Sequence, residues 1–202
     1  ELASVIKTAH KRGFKVTGHL CSVTFREAAE LGIDNLEHGF FVATDFVADK
    51  KPDECPGQAK GQETIANLDV NSEAAKSLIA LLVKNHVAIT STQTVFETRT
   101  PGQPLPRGIE LLEPQLREQF EAGYNAAQRN AQSLNARLFP KARAMELAFF
   151  KAGGTLLAGT DPTGGGGVIP GFADQRQIEL LVEQGLTPRE AIKVGTMNGA
   201  TF

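Results

Sequence analysis

The chain has 202 residues, with 21 Lys and Arg against 23 Asp and Glu, for a net charge of −2. The charges are interspersed, so neither a nucleic-acid surface nor a disordered tail is indicated. Aromatic residues make up 6% and are almost all Phe, which leaves no base-stacking platform, and no apolar run approaches the roughly 18 residues of a membrane span. The length supports a substantial core but falls short of the roughly 250 residues of a full eight-unit β/α barrel.

The chain opens at Glu1 inside an amphipathic pattern, with Leu2, Val5, Ile6 and Ala9 on one stripe, and Gly13 predicts the end of a helix over 2–12. Both chain ends resemble cuts through a longer protein. A strand over 14–19 (FKVTGH) follows. Thr24 and Glu27 form a capping-box pattern that opens a helix over 25–31, and Gly32 closes it. A second strand, 33–38 (IDNLEH), comes next. Residues 40–70 contain Pro52, Pro56 and Gly57 without periodicity, and predict a long loop over the open face. Asn71 or Ser72 caps a helix over 72–85, and VAITST (87–92) is a third strand.

A second excursion spans 96–139. Its first part is turn-rich around Pro101, Pro104 and Pro106, and its second is a polar helix over about 113–135. A helix over 140–152 ends at Gly153 and Gly154, and a fourth strand, 155–160, delivers Asp161. Helix 173–184 follows, and Thr187-Pro188-Arg189-Glu190 opens the last one. The expected fold class is α/β: one domain over 1–202, four parallel β/α units of a TIM-type barrel, with excursions at 40–70 and 96–139.

Three residues carry the chemistry. His19, His38 and Asp161 each stand where a strand-like run ends, and in a parallel β/α protein those ends open onto one face. Two imidazoles and a carboxylate suit a divalent metal, zinc first among them. A carboxylate touching both metal and water can accept a proton, which gives Asp161 a catalytic as well as a ligating role. Strand alternation puts Thr17 and His19 on the polar face with Leu157, Gly159 and Asp161, and turns Glu37 away from His38.

Other residues read more simply. His10 and His86 lie near helix C-termini and favour the negative end of the helix dipole. Cys21 and Cys55 show no metal-type spacing, and Cys21 reads as a small apolar filler, so neither a disulfide scaffold nor structural zinc is expected. Ser91, Thr92 and Gln93 either face a substrate or start a loop. The glycine run 164–167 lacks the Lys-Ser/Thr of a phosphate loop, and Thr163, Gly164 and Gly165 are candidate substrate contacts.

The segments VTGHL (16–20), NLEHG (35–39), AGTD (158–161) and GLTPREAIKVGTMNGA (185–200) resemble the amidohydrolase superfamily, in particular its imidazolonepropionase-like and prolidase-like dipeptidase branch. The resemblance covers nearly the whole chain. It implies strands five to eight of a metal-dependent barrel, with His19 and His38 on the more exposed metal of a binuclear pair and Asp161 on the buried one as general base. The implied reaction is attack of a metal-activated water on an amide, cyclic amide or dipeptide C–N bond. The family's His-x-His and its bridging lysine are absent, so the isolated chain is expected to be an inactive fragment. The expected partners are a small-molecule amide or dipeptide and a second copy of the chain, with no nucleic acid and no membrane. The alternatives are a non-catalytic β/α binding or assembly module with a vestigial site, and a phosphate-binding barrel using Gly164–Gly167.

Overall fold

Short apolar runs separated by capped helices dictate a parallel sheet, because each strand must return to the same end before pairing with the last. A computed structural model describes residues 1–162 and 167–202. Among these, four strands form one parallel sheet in sequential order. They are β1 (Thr17–Gly18), β2 (Asn35–Glu37), β3 (Ala88–Ser91) and β4 (Leu156–Ala158). Thr17 stands opposite Asn35, Glu37 opposite Thr90, and Thr90 opposite Leu157.

The helices begin where the sequence supplies caps. α1 (Leu2–Lys11) leads into β1, and α2 (Phe25–Leu31) links β1 to β2. The α2 capping box is complete, and Gly32 closes the helix at φ 88°, a backbone state that costs a residue with a Cβ. α3 (Gln58–Ala66) and α4 (Glu73–Lys84) precede β3, and the Ser72 hydroxyl accepts from the Ala75 N–H at the start of α4. α5 (Gln93–Glu97), α6 (Pro114–Gln128) and α7 (Leu134–Lys151) lie between β3 and β4. α8 (Phe172–Gln184), α9 (Pro188–Gly195) and α10 (Met197–Thr201) follow β4, and α9 starts with the Thr187–Glu190 capping box and Pro188 at its first position.

The core lies between the sheet and the helices. Leu36, Ile89 and Leu156 are fully buried there with Leu78, Leu82, Leu138, Met145 and Leu180. Phe25, Phe40 and Phe149 form a chain of tilted rings with centroids 6.1 and 6.3 Å apart. Burying a side chain of this size stabilises by about 1.5–3 kcal/mol, so this layer fixes how the strands stand against the helices.

The other face of the sheet is polar. Asn35 Nδ2 lies 2.8–2.9 Å from Thr17 Oγ1, Glu37 Oε1 and Thr90 Oγ1, its two N–H groups shared among the three acceptors, and the Thr17 hydroxyl donates to Glu37. One amide thus ties three strands together on the side away from the core.

Several expectations are corrected. Residues 40–70 are not one loop: a 3-10 turn over Gly39–Val42 and the helix α3 occupy part of them. Phe40, Phe41 and Val42 are buried, so apolar contact rather than periodicity orders that turn. The helix expected over 140–152 starts at Leu134, with Pro140 inside it. The Ser133 hydroxyl accepts from the Ala136 N–H, and burial of Leu138, Phe139 and Ala142 offsets the roughly 3 kcal/mol cost of an internal proline. The expected absence of a disulfide also fails, because Cys21 and Cys55 are bonded to each other. The chain between them folds back: Thr44 Oγ1 donates to the Cys21 carbonyl and Lys50 Nζ to the Ser22 carbonyl. No local spacing rule anticipates a pairing made by tertiary contact.

Candidate active site

The strand ends deliver the residues expected of them. His19 follows β1, His38 follows β2 and Asp161 follows β4. The His19 and His38 rings meet edge to face with centroids 4.6 Å apart. His38 Nδ1 lies 3.7 Å from Asp161 Oδ2. Three side chains separated by up to 142 positions, from 19 to 161, therefore gather at one end of the sheet.

His38 is held on two sides. Its Nδ1 is 2.9 Å from the Thr92 hydroxyl, and its ring lies against Phe96 at 6.2 Å. With Nδ1 as the donor in that bond, Nε2 keeps the lone pair that an electrophile takes. Burial is the main cause that holds the imidazole below its ordinary pKa, and the neighbouring His19 adds to it. Asp161 and Glu37 pull the other way. The outcome favours a neutral ring at neutral pH, the form that coordinates metals.

Glu37 requires a correction. Alternation along β2 places it away from His38, yet its carboxylate belongs to the polar face, bonded to Thr17 and Asn35, and acts electrostatically on His38. The reason is local: His38 has φ 66°, so the pleat ends at Glu37 and the next side chain swings back to the same side.

Ser91, Thr92 and Gln93 neither start an open loop nor face a ligand in the expected sense. Thr92 holds His38, while Ser91 Oγ and Gln93 Nε2 both donate to Glu146 Oε2 at 2.7 Å. Gln177 Nε2 in turn donates to Ser91 Oγ at 3.0 Å. Glu146 is wholly buried, and burial pushes its carboxyl up to about 7 against those two donors and the nearby Arg143. Sequence reasoning missed it. The available signal was an acid on the apolar stripe of its helix, among Phe139, Ala142 and Phe149.

The candidate substrate contacts Thr163, Gly164 and Gly165 lie outside the described residues. Among the described residues, no three His, Cys, Asp or Glu side chains stand gathered as a ready metal-holding group. The donor types of His19, His38 and Asp161 nevertheless suit a divalent cation, and His38 stands against each of the other two.

No family profile and no curated protein matches the chain by sequence. Solved structures match it in fold. Bottromycin amidohydrolase aligns over 98% of this chain and 42% of its own, with a TM-score of 0.62 and 19% identity. A second amidohydrolase aligns over 100% of this chain and 35% of its own, with a TM-score of 0.55 and 17% identity. The ochratoxinase of A. niger aligns over 98% and 32%, with a TM-score of 0.50 and 21% identity. The chain thus spans less than half the length of each of these proteins, and what it shares with them is the fold of that stretch.

Proposed function

We propose that this chain is part of a metal-dependent hydrolase of carbon–nitrogen bonds, of the imidazolonepropionase-like or prolidase-like kind, in which its four strands would be strands five to eight of a barrel. One observation carries the reading: at one end of the sheet His38, which follows one parallel strand, stands against both His19 and Asp161, which follow two others. The amidohydrolase names of the similar structures support it.

His19, Nε2 of His38 and Asp161 would hold the cation, with zinc the best match to that donor set. When bound, such a cation polarises an amide carbonyl and lowers the pKa of water. The chain's own residues supply the rest. Thr92 orients the His38 ring, and burial keeps that ring neutral. Asp161 would take a proton from the attacking water and pass it to the departing amine. The polar sheet face of Thr17, Asn35, Glu37 and Thr90 would line the approach of a small amide, cyclic amide or dipeptide.

Zinc titration against a chromophoric chelator tests the assignment. Binding that weakens in His19→Ala, His38→Ala and Asp161→Ala supports it; zinc content unchanged by His19→Ala and Asp161→Ala overturns it. The competing reading, a binding or assembly module with a vestigial site, draws on the absence of a ready three-ligand group among the described residues. Failure of the wild-type chain to bind zinc would favour that module.

A further inference from the structure

We infer that Glu146, a residue of α7 behind the sheet, is a positioning residue that sets the His38 imidazole by bracing the two residues that flank Thr92 and the residue that follows His38. The inference rests on the reading of His38 as a metal ligand.

One side of the argument runs through the end of β3. Ser91 and Gln93 flank Thr92, and both donate to the same oxygen, Oε2 of Glu146, at 2.7 Å. Gln177 on α8 completes the clasp by donating to Ser91 Oγ. Thr92 starts α5, yet its hydroxyl makes no cap bond to that helix and is 2.9 Å from His38 Nδ1 instead. With its two neighbours anchored to one buried carboxylate, the Thr92 backbone has little freedom, and its hydroxyl is presented at a fixed place.

The other side runs through Gly39. A Cβ on Gly39 would lie 1.8 Å from Glu146 Oε1, so the second carboxylate oxygen is packed directly against the Gly39 backbone. Gly39 is the next residue after His38, and both have positive φ, 57° and 66°. Ser91, Gln93 and Glu146 are all fully buried, and Glu146 Oε1 has no hydrogen-bond partner among the described residues. A single carboxylate therefore braces the strand end that carries Thr92 and the turn that carries His38. It touches neither side chain of that bond, so its effect on the imidazole is indirect.

Glutamine at this position keeps the shape and an oxygen able to take both donors; leucine keeps the volume and takes neither. Supporting groups of this kind typically change metal affinity by about 10–100-fold. Two measurements separate the possibilities: the tautomer balance of His38 in the metal-free protein, by 15N NMR of the ring nitrogens, and zinc affinity by chelator competition. In wild type one His38 tautomer should dominate. In Glu146→Leu both should be populated and zinc should bind about 10–100-fold more weakly, while Glu146→Gln should retain the wild-type spectrum. Thr92→Val should weaken zinc similarly, and adding Glu146→Leu to it should cost nothing more.

A folded Glu146→Leu protein with the wild-type His38 spectrum, or losses that add in the double variant, would overturn the inference. Should Glu146→Leu not fold, Ser91→Ala removes one donor and keeps the carboxylate. A partial shift of the His38 signals then supports the role, and an unchanged spectrum refutes it. Absence of zinc binding by the wild type would sink the metal reading alone, because the metal-free spectra still decide whether Glu146 governs His38.

Discussion

Glu146 makes the stability of this protein depend on pH in a direction opposite to that of an ordinary paired carboxylate. Its carboxyl is buried completely, and the two donors and Arg143 do not offset the cost of charging it there, so its pKa rises from 4.5 to about 7. Between those values the unfolded chain has lost its proton and the native protein has kept it. Stability therefore falls as pH rises, because the native state binds more protons than the unfolded one. The contribution is fully present below about pH 4.5 and lost as pH climbs through about 7. At about 1.4 kcal/mol per tenfold change in proton affinity, the rise from 4.5 to about 7 corresponds to a loss of about 3 kcal/mol.

Urea unfolding of wild type and Glu146→Gln across that range isolates the effect of Glu146, since glutamine does not titrate. Asp45, also raised by burial, acts in the same direction. His38, held below its usual pKa, acts in the other, its contribution being lost as pH falls below the ordinary histidine value. Glu27, lowered chiefly by the Thr24 backbone bond, likewise favours the higher pH. All three are common to both proteins and cancel in the difference. Wild type should lose about 3 kcal/mol relative to Glu146→Gln from about pH 4.5 to about pH 8. A difference that stays flat, or that grows in favour of wild type with rising pH, would refute the burial argument.

Other outcomes follow from single contacts. Cys21 and Cys55 close a loop with a sequence separation of 34, so the double Cys→Ser variant should lose about 4 kcal/mol in urea unfolding; equal midpoints would show that the tether adds nothing. Gly39→Ala should cost about 3 kcal/mol or more, from the collision with Glu146 and the left-handed backbone together, whereas Gly13→Ala, with similar φ and open space around it, should cost only about 1–2 kcal/mol. Equal losses at the two glycines would mean that Glu146 does not press on Gly39. Arg176 holds the buried Glu97 through Nε and Nη2, so Arg176→Met should cost about 3–5 kcal/mol, and a thermal midpoint like that of wild type would refute the pairing.

The parts of the fold written in short range were legible in the sequence. The Thr24–Glu27 and Thr187–Glu190 boxes appear where the spacing places them, and the four strand-like runs became four parallel strands in order. Those runs were trimmed at both ends, since only residues with a neighbour in register keep a ladder. What was illegible depends on distant partners. The Cys21–Cys55 bond, the 3-10 turn packed through Phe40 and Phe41, and the Glu146 clasp each join segments tens of residues apart, and none leaves a local period. Ser91 and Gln93 illustrate the point: a hydroxyl and an amide at a strand end look the same in sequence whether they meet a substrate or a buried acid.

Backbone strain adds an independent argument for the site. Among the described residues, the non-glycine positions with positive φ are His38, Asp53, His86 and Asp161. Two of these, His38 and Asp161, are candidate site residues. Asp and His enter the left-handed region more readily than most residues, but each still costs about 1–2 kcal/mol there. Asp53 is exposed, and His86 closes the turn after α4, where a left-handed residue commonly ends a helix. His38 instead follows β2 directly, and Asp161 stands three residues beyond β4. Left-handed geometry at those two points breaks the alternation, and at His38 it turns the side chain back toward the face that Thr17, Asn35 and Glu37 share. Strain of this kind persists only where surrounding contacts impose it, and the contacts at this turn are the Thr92 hydroxyl on His38 and the Glu146 carboxylate against Gly39. Glycine at position 38 would end β2 without that cost, so the histidine there supports the ligand role proposed for it.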